Sequence, residues 1–273
     1  HQWEMGAFLD VLRKDGFRVA FHHEPFDSGG LQDVDIVVLP GPLAVSWDSL
    51  LARGSEHYWW SDEGRSQALT NAEVLALTSW IRGGGSLLLI LDHAPAPAAA
   101  GRLLQALGVD ARNSMTWDDF RRPPDYKYRD NQRASVILFS RQRRSLGSHT
   151  IMSGRNASEI VNAVITHVGA SLVGPVGSTP LLLLSADAFD SWKDPPERGG
   201  QVHRVPAGGR AQATAFQFDR GRVVVVAEYS PFQARWTTYR EPPATYGAGM
   251  AYAGADDQQF VTNIMRWLAR VLP

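Results

Sequence analysis

The sequence predicts a three-layer α/β sandwich built on a mostly parallel central sheet, and three observations carry that prediction. Val34–Leu39, Ser86–Leu91 and Val223–Ala227 are apolar runs of strand length. They lack the strict alternation of a half-exposed strand, which is how strands covered on both faces read. Helical patterns alternate with the first runs at βαβ spacing, the arrangement that right-handed crossovers require. Glycine and proline stop the elements cleanly, as in Pro40-Gly41-Pro42 and Gly83-Gly84-Gly85.

The elements follow in order. Met5, Phe8, Leu9 and Leu12 share one helical face, so the first helix runs from Met5 to Lys14, with Gly16 suited to the cap. Arg18–Phe21 reads as a short strand. A helix in first position implies a strand before His1. Thr70-Asn71-Ala72-Glu73 is a capping box, followed by the buried stripe Val74, Leu77 and Ile81. After the strand Ser86–Leu91 comes a helix from Ala96 to Leu107, closed by Gly108. The pattern loosens between Asp110 and Gly147 into an irregular insertion with one strand at Ala134–Phe139. A helix is expected near Ala157–Ile165 and a strand at Leu181–Leu184. A hairpin is expected at Gln212–Phe218 and Arg222–Ala227, turned by Asp219-Arg220-Gly221. The last helix spans Asp257–Val271, with Phe260, Val261, Ile264, Trp267, Leu268 and Val271 at helical spacing. No repeat or polar linker interrupts the chain, so residues 1–273 are read as a single domain with an insertion at about 110–147.

Composition narrows the function. A net charge of −1 over 273 residues supplies no field to gather nucleic acid or anionic lipid, so neither is an expected partner. No apolar stretch approaches the ~20 residues of a membrane-crossing helix, so no membrane insertion is expected. The absence of cysteine removes thiol nucleophiles, disulfides and thiolate metal sites together. A chain that starts at His1 rather than Met leans toward a processed bacterial periplasmic or secreted protein.

The most informative junction is the end of the strand Ser86–Leu91, where Asp92-His93-Ala94-Pro95 follows. Open α/β sheets bind ligands beyond the carboxyl ends of their strands. In a parallel sheet, Pro40-Gly41, Asp92-His93 and Glu228-Tyr229-Ser230 all arrive at that edge. An imidazole between two carboxyl groups can act as base, orienter and proton donor, or can ligate one divalent ion, so such a metal is compatible with the sequence. Equally, Asp92 can cap the next helix and His93 can bond a loop carbonyl. His149 is expected in a loop that returns over the site, with Met250 in a second covering segment. Tyr58, Trp59 and Trp60 are adjacent aromatics suited to a sugar ring or a partner surface, or simply to packing. His22-His23-Glu24 resembles a ligand cluster, yet neighbours on an extended chain face opposite ways. There is no G-x-G-x-x-G after a strand, no phosphate-binding Walker loop, no G-x-S-x-G and no H-E-x-x-H. Nicotinamide enzymes, phosphate-loop ATPases and ordinary serine esterases are thereby disfavoured.

The segment Val34–Gly108 resembles the class I glutamine amidotransferase-like superfamily, in particular cysteine-free branches such as ThuA-like domains. The resemblance rests on Asp35-Ile36-Val37-Val38-Leu39-Pro40-Gly41, on Trp80-Ile81-Arg82-Gly83-Gly84-Gly85, and on the strand ending at His93. It implies a flavodoxin-like architecture. Amidotransferases carry their cysteine where this chain has Asp92-His93, so it implies no glutamine hydrolysis by that route. A wider pattern is similar to the bacterial DUF4350-like group, itself similar to gliding-motility and intraflagellar-transport domains. It comprises Asp92-His93-Ala94-Pro95, His149-Thr150-Ile151, Gly154-Arg155, Gly221–Glu228, Gly249-Met250 and the helix of Gln259–Leu268. Ala251 stands where those relatives carry an asparagine.

Two functions are expected. The first is a hydrolase acting on a small polar or carbohydrate-derived substrate through Asp92, His93 and Glu228. The second is a non-catalytic module that binds a saccharide or a protein at the same place with His149, Tyr58, Trp59, Trp60 and Met250. An envelope scaffold is a third reading, drawn from the motility relatives alone.

Overall fold

The computed structural model describes residues 5–27, 29–52, 61–119, 136–167, 169–240 and 243–273. The first part of the chain forms α1 (Gly6–Lys14), β1 (Ile36–Pro40), α2 (Trp47–Leu51), α3 (Asp62–Arg65), α4 (Asn71–Arg82), β2 (Ser86–Ile90), α5 (Ala96–Ala99), α6 (Gly101–Leu107), β3 (Asp110–Ala111) and β4 (Met115–Trp117). There follow β5 (Val136–Ser140), α7 (Thr150–Ser153), β6 (Ala163–His167), β7 (Leu172–Val173), β8 (Thr179–Leu183), β9 (Phe189–Lys193) and β10 (Val202–Pro206). The last elements are β11 (Ala211–Phe218), β12 (Gly221–Val226), β13 (Ala234–Arg240), β14 (Pro243–Gly249) and α8 (Asp257–Leu268).

The main sheet has the order β1-β2-β12-β11-β7-β3, with β8 also paired to β11. It is mixed, which corrects the expectation of a mostly parallel sheet. β1, β2 and β12 are mutually parallel. β11 runs against β12, and β7, β8 and β3 join through antiparallel pairings. The physical reason is the hairpin itself. Phe218 pairs with Gly221 across Asp219 and Arg220, and Asp219 has a φ of 53°, so the chain reverses in two residues. Two strands joined so tightly cannot be parallel.

Alternation along β2 and β12 sorts the core into two faces. Leu88, Ile90, Val224 and Val226 pack with Phe8 and Leu12 of α1 and Phe260, Ile264 and Leu268 of α8. Leu87, Leu89, Val223 and Val225 pack with Leu77 and Ile81 of α4 and Leu103, Leu104 and Leu107 of α6. Burial on both faces explains the unbroken apolar runs, each such side chain contributing about 1.5–3 kcal/mol when fully buried. α4 begins with the expected capping box: the Thr70 hydroxyl accepts from Glu73 N at 3.2 Å while Glu73 accepts from Thr70 N at 2.9 Å.

Several elements differ from the sequence reading. Arg18–Phe21 forms no strand and has no ladder partner among the described residues, while Phe17 and Val19 pack on the core. The expected helix near Ala157–Ile165 is a 3-10 turn, Ala157–Glu159, followed by β6. Apolar pairs at 160–161 and 164–165 mimic a helical face, but the β-branched Val164, Ile165 and Thr166 suit a strand. The backbone N–H of Ile165 donates to the Asp257 carboxyl at 2.9 Å, and those of Asn162 and Ala163 donate to Asp256. The helix Ala96–Leu107 is split at Ala100 into α5 and α6, and the last helix stops at Leu268. The expected insertion contributes to sheets at both ends. β3 lies at the edge of the main sheet, β4 joins β9 and β10, and β5 pairs with β6. No helix among the described residues is long and apolar enough to cross a membrane.

Candidate functional site

Register assembles the site. Pro40 pairs with Ile90 and Ile90 with Val226, so the three parallel strands end level with one another. The ladder continues one residue further, with Gly41 N donating to Ile90 O at 2.8 Å and Leu91 N to Val226 O at 2.7 Å. Asp92-His93 and Glu228 therefore leave the sheet at the same edge.

At that edge the Asp92 carboxylate accepts from the backbone N–H of His93 at 2.7 Å. The imidazole Nδ1 lies 2.5 Å from the carbonyl oxygen of Ala94, an acceptor, which assigns the Nδ1 hydrogen to that bond. The neutral ring then carries its lone pair on Nε2, 4.0 Å from Asp92 Oδ1. Both side chains keep some solvent contact, at 17 % for His93 and 25 % for Asp92. Trp47, the first residue of α2, meets the His93 ring edge-to-face at 5.5 Å. It is half-buried.

Glu228 lies beneath this surface, 2 % exposed. The backbone N–H of Ser230 lies 3.0 Å from each carboxyl oxygen, the Ser230 hydroxyl donates to Oε2, and the His167 backbone contributes a further bond. Burial, and then the charge of Asp92, push the Glu228 carboxyl up to about 8 against the pull of those bonds. Glu228 thus keeps its proton through neutral pH, and the two neighbouring carboxyls titrate as a pair.

The Ser230 hydroxyl also lies 3.3 Å from His167 Nδ1. Burial, assisted by Arg235, pulls this imidazole down to about 4, so it is neutral. Here the hydroxyl stands between imidazole and carboxyl, whereas a nucleophilic triad needs the imidazole in the middle. Ser230 therefore secures Glu228 rather than serving as an activated nucleophile. Gly169 permits the packing behind it. A Cβ there would stand 2.6 Å from Ala227 O and 2.7 Å from Glu228 Cγ. Gln212 completes the layer: its Oε1 accepts from Thr166 Oγ1 at 2.7 Å, and its buried Nε2 has no hydrogen-bond partner.

The remaining sequence-predicted residues fall in different places. Met250 is at this edge, its N–H donating to Gln233 O at 2.7 Å beside the 3-10 turn Ser230–Phe232. His149 is at the opposite edge. Its Nδ1 accepts from Ile151 N at 3.1 Å, and its ring meets Trp267 at 5.0 Å. Trp267 O in turn accepts from Arg222, which pairs with Ser86 at the start of β2. A five-residue strand, about 16 Å, therefore separates His149 from His93, too far for the covering role expected of it. Tyr58, Trp59 and Trp60 lie outside the described residues. Among the described residues, no group of three or more His, Asp or Glu side chains is arranged to hold a metal ion. The His22 ring stacks on Phe26 instead.

Sequence reasoning passed over Trp47, His167, Gln212 and Ser230 as site residues. Gln212 carried a signal, being an amide in a largely buried strand. Trp47 carried another, an aromatic soon after the glycine-proline stop of a central strand. His167 had none, because it arrives on β6, which the sequence did not disclose as a strand.

No protein-family model matches the chain, and no curated protein matches it. Among solved structures it is similar to the N-terminal domain of mmIFT52, with 13 % identity, 97 % of this chain and 90 % of that one covered, and a TM-score of 0.59. It is also similar to a cytoplasmic protein from Salmonella typhimurium, with 11 % identity, 97 % and 87 % coverage and a TM-score of 0.52. A putative ThuA-like protein from Bacteroides uniformis aligns with 12 % identity, 96 % and 80 % coverage and a TM-score of 0.45, too loose to carry weight. The first two likenesses are of fold alone.

Proposed function

We propose that the carboxyl edge is a hydrolase-like site for a small polar or carbohydrate-derived molecule. One observation carries this reading: a solvent-reached imidazole beside the Asp92 carboxyl, above a buried carboxyl that keeps its proton at neutral pH. His93 Nε2 is the base. An imidazolium formed by proton uptake stands 4.0 Å from Asp92, which stabilises it. Glu228 acts through Asp92, because a neutral neighbour sets no like charge beside that carboxyl. Trp47 offers a flat apolar wall beside His93 of the kind that stacks on sugar rings. Asp92 and His93 are also the groups to which a divalent ion would bind, and elemental analysis tests for one. We read the part of the fold built on β1, β2 and β12, with helices on both faces, as flavodoxin-like and of the amidotransferase-like, ThuA-like kind.

The test is hydrolysis of ester, amide and glycoside panels by the native chain and by His93→Ala. Loss of a base predicts a fall of about 10²–10⁴ in rate. Activity that His93→Ala leaves unchanged would remove the assignment. The second reading, a saccharide- or protein-binding module without turnover, is favoured by the near-complete burial of Glu228, which bars it from touching a substrate. Thermal stabilisation by sugars, abolished by Trp47→Ala and unaccompanied by turnover, would select that reading.

A further inference from the structure

A second candidate site lies at the other edge of the sheet, where β12 begins and α8 ends. A cavity of about 380 Å³ opens between α7, β11 and α8, lined in part by Ser148, His149, Thr150, Gln217, Arg222 and Trp267. Arg222 enters it in an unusual state. Nη1 donates to Trp267 O at 2.7 Å and Leu272 O at 2.8 Å, and the guanidinium lies 4.9 Å from the centre of the Trp267 ring. These contacts fix the plane of the group. Nε is buried with no hydrogen-bond partner; among the described residues the bonds of the guanidinium are those of Nη1. The edge made by Nε with Nη2, which grips a carboxylate or phosphate through two parallel bonds, is therefore without a partner among the described residues.

The surroundings fit an anion. None of the described residues lining the cavity is Asp or Glu, and Pro273, whose oxygen accepts from the Thr150 hydroxyl at 2.9 Å, also borders it. Burial, and then the charge of Arg270, pull the Arg222 guanidinium down from its ordinary value. His149 accepts at Nδ1 from Ile151, which leaves the Nε2–H of the neutral ring as a donor. A buried N–H of a charged group left without an acceptor is destabilising, and a bound oxyanion would supply that acceptor.

We propose that this cavity binds a small oxyanion, a carboxylate or phosphate group held by the Nε and Nη2 edge of Arg222. The proposal is independent of the carboxyl-edge reading, which uses none of these residues.

The experiment is thermal unfolding and calorimetric titration of the full chain with sodium phosphate and, separately, sodium acetate, against sodium chloride at equal ionic strength. Saturable binding of either probe is expected, and the stronger probe identifies the group the site takes. Arg222→Lys keeps the charge but loses the fork, and should weaken binding at least about tenfold. Because Arg222 also holds the end of α8, a second variant guards against loss of folding. Ser148 is exposed at the cavity, and Ser148→Glu introduces a competing carboxylate without disturbing the core. Binding lost in Ser148→Glu, with the native unfolding midpoint retained in chloride, supports the site. Absence of saturable binding by both probes, or binding undiminished in Ser148→Glu, would overturn it.

Discussion

Replacing Glu228 with Gln isolates the proton that this carboxyl holds. In the unfolded chain a glutamate titrates near 4.5, whereas in the fold Glu228 is pushed up to about 8. Below pH 4.5 both states are protonated and no penalty exists. Between pH 4.5 and pH 8 the unfolded chain releases a proton that the folded chain retains, so the unfolded state gains and stability falls as pH rises. The limiting slope is about 1.4 kcal/mol per pH unit, and the whole window has a ceiling of about 5 kcal/mol. Water penetration and relaxation around the pair with Asp92 bring the real figure below that ceiling. Glutamine keeps the shape and one acceptor oxygen but cannot ionise. The assay is urea unfolding of the native chain and Glu228→Gln at pH 5, 6, 7 and 8. The stability of the variant relative to the native chain should climb steadily across the series. His167, pulled down to about 4, works in the opposite direction, its contribution being lost as pH falls below 6.5, and it largely cancels between the two proteins. A difference that stays flat from pH 5 to pH 8 would mean that Glu228 is ionised in the fold, and the reasoning about the retained proton would fail.

Other expectations concern the frame around the site. Gly169→Ala sets a methyl against Ala227 O and Glu228 Cγ, so it should destabilise by about 1–3 kcal/mol, read as a lowered unfolding midpoint. Thr70→Ala removes half of the capping box of α4 and should cost about 1 kcal/mol in chemical denaturation. Leu88→Ala opens a void between β2 and α8, where Leu88 is fully buried, and should cost about 2–5 kcal/mol without changing the denaturant dependence. A markedly smaller loss would show that the two-faced packing of β2 is looser than described.

Legibility tracked the range over which each interaction acts. The capping box at Thr70, the apolar stripe of α4 and the turn at Asp219-Arg220 are settled by residues within a few positions of one another, and all three stand where the sequence puts them. β6 was unreadable for the same reason inverted. Its strand state depends on pairing with β5 and on the carboxyls of Asp256 and Asp257, more than ninety positions away. The mixed character of the sheet followed from a hairpin that the sequence did announce, combined with distant strands whose partners it did not.

What the sequence by itself determined is which chain segments reach the carboxyl edge. A fully apolar strand must be central, and whatever follows it must emerge there, so Asp92, His93 and Glu228 could be assigned to one edge from the pattern of Ser86–Leu91 and Val223–Ala227 alone. What only the tertiary structure decided is the environment each group meets on arrival. Glu228 is buried and Asp92 is not, His149 occupies the far edge, and Arg222 Nε is buried without a partner. The apolar run of a strand and the residues that end it are set by local pattern, whereas burial and charge depend on which remote segments close over a side chain, and those segments share no short-range signal with it.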